Sequence, residues 1–148
     1  MKIKIEEIVE EDFETLIELF RELAVFENLP EKMINSVKRM KAEKDFFRGF
    51  TIKDENNIIL GYVTFFFAYY TWVGKSLYMD DLYIREEHRG KGLGTQLIKK
   101  VISFAKETNC QKLRWQVSNW NKSAIKFYKS LGAQIDEVDK NCDLMFDN

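Results

Sequence analysis

The 148-residue chain is poor in the residues that build metal centres and cross-links: one histidine, one proline and two cysteines. A single imidazole cannot complete a zinc site, and Cys110 and Cys142 have no metal-ligand spacing, so no metal is expected. Two cysteines read as ordinary reduced thiols of a cytoplasmic protein, not as a disulfide framework. Neither sign of charge dominates. A formal net charge of −1 and a pI near 6 exclude the broad basic face that duplex nucleic acid requires. Long apolar runs are missing too. The longest, Ile58 to Val73, is broken by Gly61, Thr64 and Thr71 and is too short and mixed for a membrane span. Met1 to Val9 alternates Lys, Ile and Glu where a secretory signal has an apolar block.

What is present is core material: 45% of residues are hydrophobic and 14% aromatic, enough for one domain over residues 1–148. Lys2 to Ile5 alternates as a short strand. Phe13, Leu16, Ile17, Phe20, Leu23 and Ala24 recur at helical spacing, predicting a helix from about Glu11 to Phe26. A second helix is expected to begin at Pro30, with Met33, Val37 and Met40 inward. The period then changes. Strands are expected at Phe47–Ile52, Ile58–Trp72 and Ser76–Ile84, joined by turns at Asp54–Asn57 and Val73–Lys75 as an antiparallel meander. A helix follows from Leu93, then a strand at Leu113–Val117 and a helix at Ser123–Leu131 closed by Gly132. Two last strands are expected at Gln134–Val138 and Cys142–Phe146. The fold class is mixed α/β.

Glycine is scarce, yet three of the seven, Gly90, Gly92 and Gly94, lie within five residues and directly precede a helix. A helix N-terminus exposes unpaired N–H groups and partial positive charge. Glycines let backbone approach an anion, and Arg89 and Lys91 add charge. Gly90 to Thr95 therefore reads as a phosphate cradle. It is neither of two familiar ones. The P-loop spacing is absent, and the third glycine of the dinucleotide fingerprint is replaced by Thr95 or, one frame on, by Leu97.

Arg89-Gly90-Lys91-Gly92-Leu93-Gly94 resembles the Arg/Gln-x-x-Gly-x-Gly/Ala loop of the GNAT superfamily of acetyl-CoA-dependent N-acetyltransferases. Its element order is similar over essentially the whole chain. Tyr70-Thr71-Trp72-Val73-Gly74-Lys75, Leu77 to Ile84, Trp120-Asn121 and Phe127-Tyr128-Lys129 resemble the spermidine/spermine and thialysine branch. The resemblance implies the acyl-CoA N-acyltransferase fold, a mainly antiparallel twisted sheet flanked by about four helices. It implies acetyl transfer from acetyl-CoA directly to the primary amine of a small molecule: a polyamine, thialysine or a lysine-like amine. It also implies a homodimer. Two other readings are a coenzyme-A-binding regulatory module without transferase activity and an acetyltransferase of proteins or peptides.

By the same resemblance, Arg89, Gly90, Lys91, Gly92, Leu93, Gly94 and Thr95 bind the pyrophosphate. The backbone of Leu82, Tyr83 and Ile84 holds pantetheine like an added strand, in a cleft between Leu77–Ile84 and Leu113–Val117. Asn121 to Ala124 touch the cofactor, although Asn121 alone is equally a helix cap. An alkylamine of pKa ~10.4 is protonated at neutral pH, so a base is needed. Asp80 takes the place of the branch's glutamate and is expected to draw that proton. Strand alternation is expected to send Asp80 and Asp81 to opposite faces, leaving Asp81 structural. Tyr128 is the candidate general acid for the departing thiolate. Phe26 and Glu27 resemble the substrate-contacting pair at the end of the first helix, with Asp80 beside them. Where the polyamine branch has another acid, this chain has Lys140. His88 is a loop residue with no chemical role.

Overall fold

Alternation at the N-terminus builds β1 (Ile3–Glu7), the edge of a five-stranded sheet in the order β1-β2-β3-β4-β5. β2 (Arg48–Asp54), β3 (Ile59–Tyr70) and β4 (Gly74–Ile84) form the expected antiparallel meander, and β5 (Leu113–Arg114) joins β4 in parallel. The helices are α1 (Phe13–Phe26), α2 (Val37–Ala42), α3 (Leu93–Glu107) and α4 (Lys122–Ser130). This computed structural model describes residues 2–146. Its chain divides into two compact units, Met1–Trp115 and Gln116–Asn148.

In the first unit, strand alternation sorts β3 between two helices. Tyr62 packs against Phe20 of α1, with ring centroids 5.1 Å apart, whereas Phe65 and Phe67 meet Phe104 of α3 at 5.2 and 5.9 Å. So α1 and α3 cover opposite faces. Phe13, Leu16, Ile17 and Leu19 bury one stripe of α1 with Ile59, Tyr62 and Tyr83. A buried ion pair pins the start of this helix to β2: Lys53 Nζ lies 3.0 Å from Asp12 Oδ1. Burial pulls the Lys53 ammonium down, but Asp12 and Glu6 outweigh it and hold the amine above the usual lysine range.

Three expectations change in the first unit. A 3₁₀ turn at Glu10–Asp12 precedes α1, which starts at Phe13. The second helix begins at Val37: Pro30–Lys32 makes only a 3₁₀ turn, and Ser36 supplies the cap by accepting the Arg39 N–H at 3.1 Å. Met40 is nevertheless buried, and Met33 and Val37 pack on the same core. The strand expected through Val117 stops at Arg114, because β4 pairs with it only at Leu77 and Tyr78.

In the second unit, α4 ends as expected, Gly132 adopting φ +89°. The two strands expected at Gln134–Val138 and Cys142–Phe146 are absent: no described residue there enters a ladder. The local chemistry competes with pairing. Asp136 accepts the Val138 N–H at 2.8 Å, and Asn141 accepts from the Gln116 side chain at 2.5 Å. Val138, Leu144, Met145 and Phe146 are exposed, so no apolar face rewards a strand.

Candidate active site

β4 leaves the sheet at Ile84, and the chain reaches α3 through a 3₁₀ turn at Glu86–His88 and the glycine loop. Gly90 and Gly92 have φ of +77° and +78°, where a side chain is strained, and a methyl on either would meet nothing within 4 Å. Gly94 differs: a methyl there would make an ordinary 3.8 Å contact with Ile84. No side chain caps α3, and the first described helical bond in this turn runs from the Gln96 N–H to the Gly92 carbonyl at 3.1 Å. The open backbone before Gln96, the exposed Lys91 and the half-buried Thr95 fit an anionic ligand.

Arg89 points elsewhere. Its Nε donates to the Ile84 carbonyl at 2.9 Å, and its guanidinium lies 4.9 Å from the Phe26 ring centre and 5.3 Å from that of Tyr83. A residue of the expected phosphate loop and one of the expected amine contacts are thus neighbours.

The backbone of β4 is split. Arg85 N–H donates to the Leu60 carbonyl at 2.9 Å and Asp81 N–H to Thr64 Oγ1 at 3.3 Å, so these residues face β3. By alternation Leu82 and Ile84 present their backbone to the other edge, where β5 pairs no further than Tyr78. Leu82 and the Ile84 segment therefore lie on an edge able to accept an extended ligand. Tyr83 faces inward, its hydroxyl donating to Glu22 Oε1 at 3.0 Å while Arg85 holds Oε2 at 3.3 Å.

Alternation fails at the two aspartates. Thr64 pairs with Asp81 and Phe65 with Met79, so Asp80 is the extra residue of a β-bulge. Both charges reach the Tyr62 and Tyr78 phenols, each of which is raised, first by burial and then by these acids. Solvent reaches Asp80, yet the surrounding protein displaces enough water to raise its carboxyl. Asp81 is half-buried and pushed up to about 7 by burial, by Asp80 and by Glu27, against a lowering hydrogen bond from Tyr62. Glu27 caps the C-terminus of α1, its N–H bonded to the Leu23 carbonyl. The end of α1 and the bulge of β4 therefore form one electronegative region. Tyr62, Glu22 and Arg85 escape sequence reasoning: Tyr62 sits in an apolar run, and nothing local marks its hydroxyl as paired.

In the second unit Asn121 acts as the cap of α4, its Oδ1 accepting the Ala124 N–H at 3.2 Å. Tyr128 is half-buried on that helix, 5.4 Å from the Phe127 ring. Among the described residues no group of histidine, cysteine and acidic side chains is arranged to hold a metal, and no helix is long and apolar enough to cross a membrane.

The Acetyltransferase (GNAT) family pattern matches residues 5–133. The chain is 34% identical over 142 residues to thialysine N-epsilon-acetyltransferase of Mus musculus, covering 88% of this chain and 84% of that protein. It is 32% identical over 81 residues to spermidine/spermine N(1)-acetyltransferase-like protein 1 of Homo sapiens, covering 55% of this chain and 12% of that protein. A solved aminoglycoside acetyltransferase from an uncultured soil metagenomic sample matches with a TM-score of 0.81 at 22% identity, covering 97% of both chains. At that identity the likeness is one of fold alone.

Proposed function

Because the chain belongs to the acetyltransferase (GNAT) family, we propose that it acetylates the primary amine of a compact cationic molecule, of which thialysine and lysine-like amines are the type. The carrying observation is the electronegative region of Asp80, Asp81 and Glu27 on the strand that leads into the glycine loop. It attracts an ammonium group and offers it a base. Lys140, where the polyamine branch has an acid, favours a short amine over a long polycation.

Acetyl-CoA, the family's donor, supplies an activated acetyl thioester. Gly90, Gly92, Leu93, Gly94 and Thr95 would hold its pyrophosphate through backbone N–H groups, with charge from Lys91, while Arg89 holds the base of the loop through the Ile84 carbonyl and Phe26. The free edge at Leu82 and Ile84 would take its extended arm. Asn121 and Ala124 are carried as cofactor contacts, and Tyr128 as proton donor, on the family motif alone. Phe26 and Glu27 line the amine side, and Asp80, the exposed bulge carboxylate, meets the ammonium. The family match runs through both units, which supports reading 1–148 as one acetyltransferase domain. The homodimer and the cytoplasmic location rest on the branch resemblance and on cysteine usage.

The test is release of coenzyme A from acetyl-CoA with thialysine, lysine, spermidine, spermine and a peptide amine offered separately. Preferred turnover of thialysine or lysine is the expected result. Preference for spermine or the peptide overturns the substrate class. Tight acetyl-CoA binding with no acceptor used points to a regulatory module.

A further inference from the structure

The bulge of β4 has a partner deep in the core. Asp81 Oδ2 accepts a hydrogen bond from the Tyr62 hydroxyl at 3.1 Å. Tyr62 is fully buried, its ring packed 5.1 Å from Phe20 and 6.2 Å from Tyr83. A phenol so enclosed cannot follow a moving carboxylate, so it holds Asp81 in one orientation and leaves the other oxygen available. The Asp81 N–H is itself bonded to Thr64 Oγ1. Asp80, the extra residue of the bulge, stands in front and is open to solvent.

Resting on the acetyltransferase reading above, we propose that the ammonium form of the acceptor docks against Asp80 and yields its proton to Asp81, for which Tyr62 is the positioning residue. In that step one N–H bond breaks, its electron pair stays on nitrogen, and an O–H bond forms on Asp81. The nitrogen is then a neutral nucleophile. Solvent beside Asp80 later takes the proton from Asp81, which regains its charge.

The surroundings divide the two roles. Asp81 is faced by Asp80 on its own strand, Glu27 at the end of α1, Tyr62 on β3 and Tyr78 on β4. Burial and the two acids push its carboxyl up to about 7, and the Tyr62 hydroxyl opposes them. A carboxyl balanced there returns its proton to solvent at neutral pH with little free-energy change, and takes one from an alkylammonium less steeply uphill than an ordinary aspartate does. Asp80 keeps its water and serves as the anion that the cation meets.

Two readouts test this on the full chain. The first is kcat/KM for thialysine, with saturating acetyl-CoA, between about pH 5 and pH 9. The second is carboxyl-carbon NMR titration of the protein without acetyl-CoA. The wild type is expected to show an acidic limb, and an Asp81 titration, near 7. Tyr62→Phe, which conserves volume, is expected to move both upward by about half to one pH unit, the worth of one hydrogen bond. Asp81→Asn is expected to remove the limb and lower kcat by roughly a hundredfold. Asp80→Asn is expected to raise the amine KM and to keep the limb but move it to lower pH, because the Asp80 charge no longer raises Asp81. A limb that survives in Asp81→Asn overturns the proposal while the acetyltransferase reading stands. So does a folded Tyr62→Phe in which neither titration moves. If Tyr62→Phe does not fold, the limb in Asp81→Asn decides alone. Silence of the wild type with every amine overturns both readings.

Discussion

A carboxyl that titrates near neutrality weakens the protein that holds it. The ordinary aspartate value is 3.8 and the folded value of Asp81 is about 7. Between those values the native state keeps a proton that the unfolded chain has released, so stability falls as pH rises through that window. Asp81→Asn imitates the protonated form and still accepts from Tyr62. It is expected to leave stability unchanged near pH 4 and to raise it by roughly 1–3 kcal/mol near pH 8, a figure discounted for the solvent that reaches this half-buried group. Urea unfolding at the two pH values checks this. Equal effects at both would mean that Asp81 is charged throughout. The other residue-scale expectation concerns Tyr128. Tyr128→Phe is expected to lower turnover about tenfold or more while leaving the acetyl-CoA Kd within about twofold, because a proton donor acts on the transition state and a packing ring acts on the fold. Equal loss in both would make Tyr128 a structural aromatic.

Among the elements, the glycines separate by reason. Gly92→Ala at φ +78° meets no neighbour, so its cost is backbone strain of about 1–2 kcal/mol, together with weaker acetyl-CoA binding. Gly94→Ala sits in the first turn of α3 with room for its methyl, and helix propensity favours it by up to about 1 kcal/mol. Thermal melts are expected to move in opposite directions for the two variants. Gly49 answers to a third reason, the close approach of β2 and β3. A methyl there would run into the Val63 carbonyl oxygen and lie 2.6 Å from Ile8 Cδ1, so Gly49→Ala is expected to destabilise by about 3 kcal/mol or more. A normal melting temperature for that variant would show that the strands can part without penalty.

Across the larger unit, long-range ties hold α1 to the sheet. The Lys53–Asp12 pair joins the start of α1 to β2, and Arg85 with Tyr83 grips Glu22 near its other end. Asp12→Ala leaves the largely buried Lys53 ammonium with only its 3.4 Å contact to the exposed Glu6, which is expected to cost about 1–3 kcal/mol. The cost shows as a lower urea midpoint with an unchanged slope. Loss near zero would place Lys53 in solvent. Arg89 links the scales again: through Phe26 and the Ile84 carbonyl it joins the end of α1 to the start of the glycine loop.

Most of the fold was legible because its signals are local. The 3.6 period of Leu93, Leu97, Ile98 and Val101 marks α3 without reference to any neighbour, and so does the alternation that marks the meander. The glycine loop was legible for the same reason, since a positive φ at Gly90 and Gly92 is a demand on single residues. The last two strands misled because an apolar residue such as Val138 signals a strand only if some face covers it, and here it is exposed. The arrangement of the two aspartates lay beyond sequence. Whether Asp80 and Asp81 alternate depends on the register of β4 against β3, and that register slips between Thr64 and Phe65. The hydroxyl that holds Asp81 comes from a residue nineteen positions away. The sequence alone determined the elements through α4, their order and a glycine loop with positive φ ahead of α3, because these follow from near-neighbour geometry. Tertiary structure alone decided which carboxylate is poised near neutrality, because burial and the approach of other charges exist only once the strands and α1 have met.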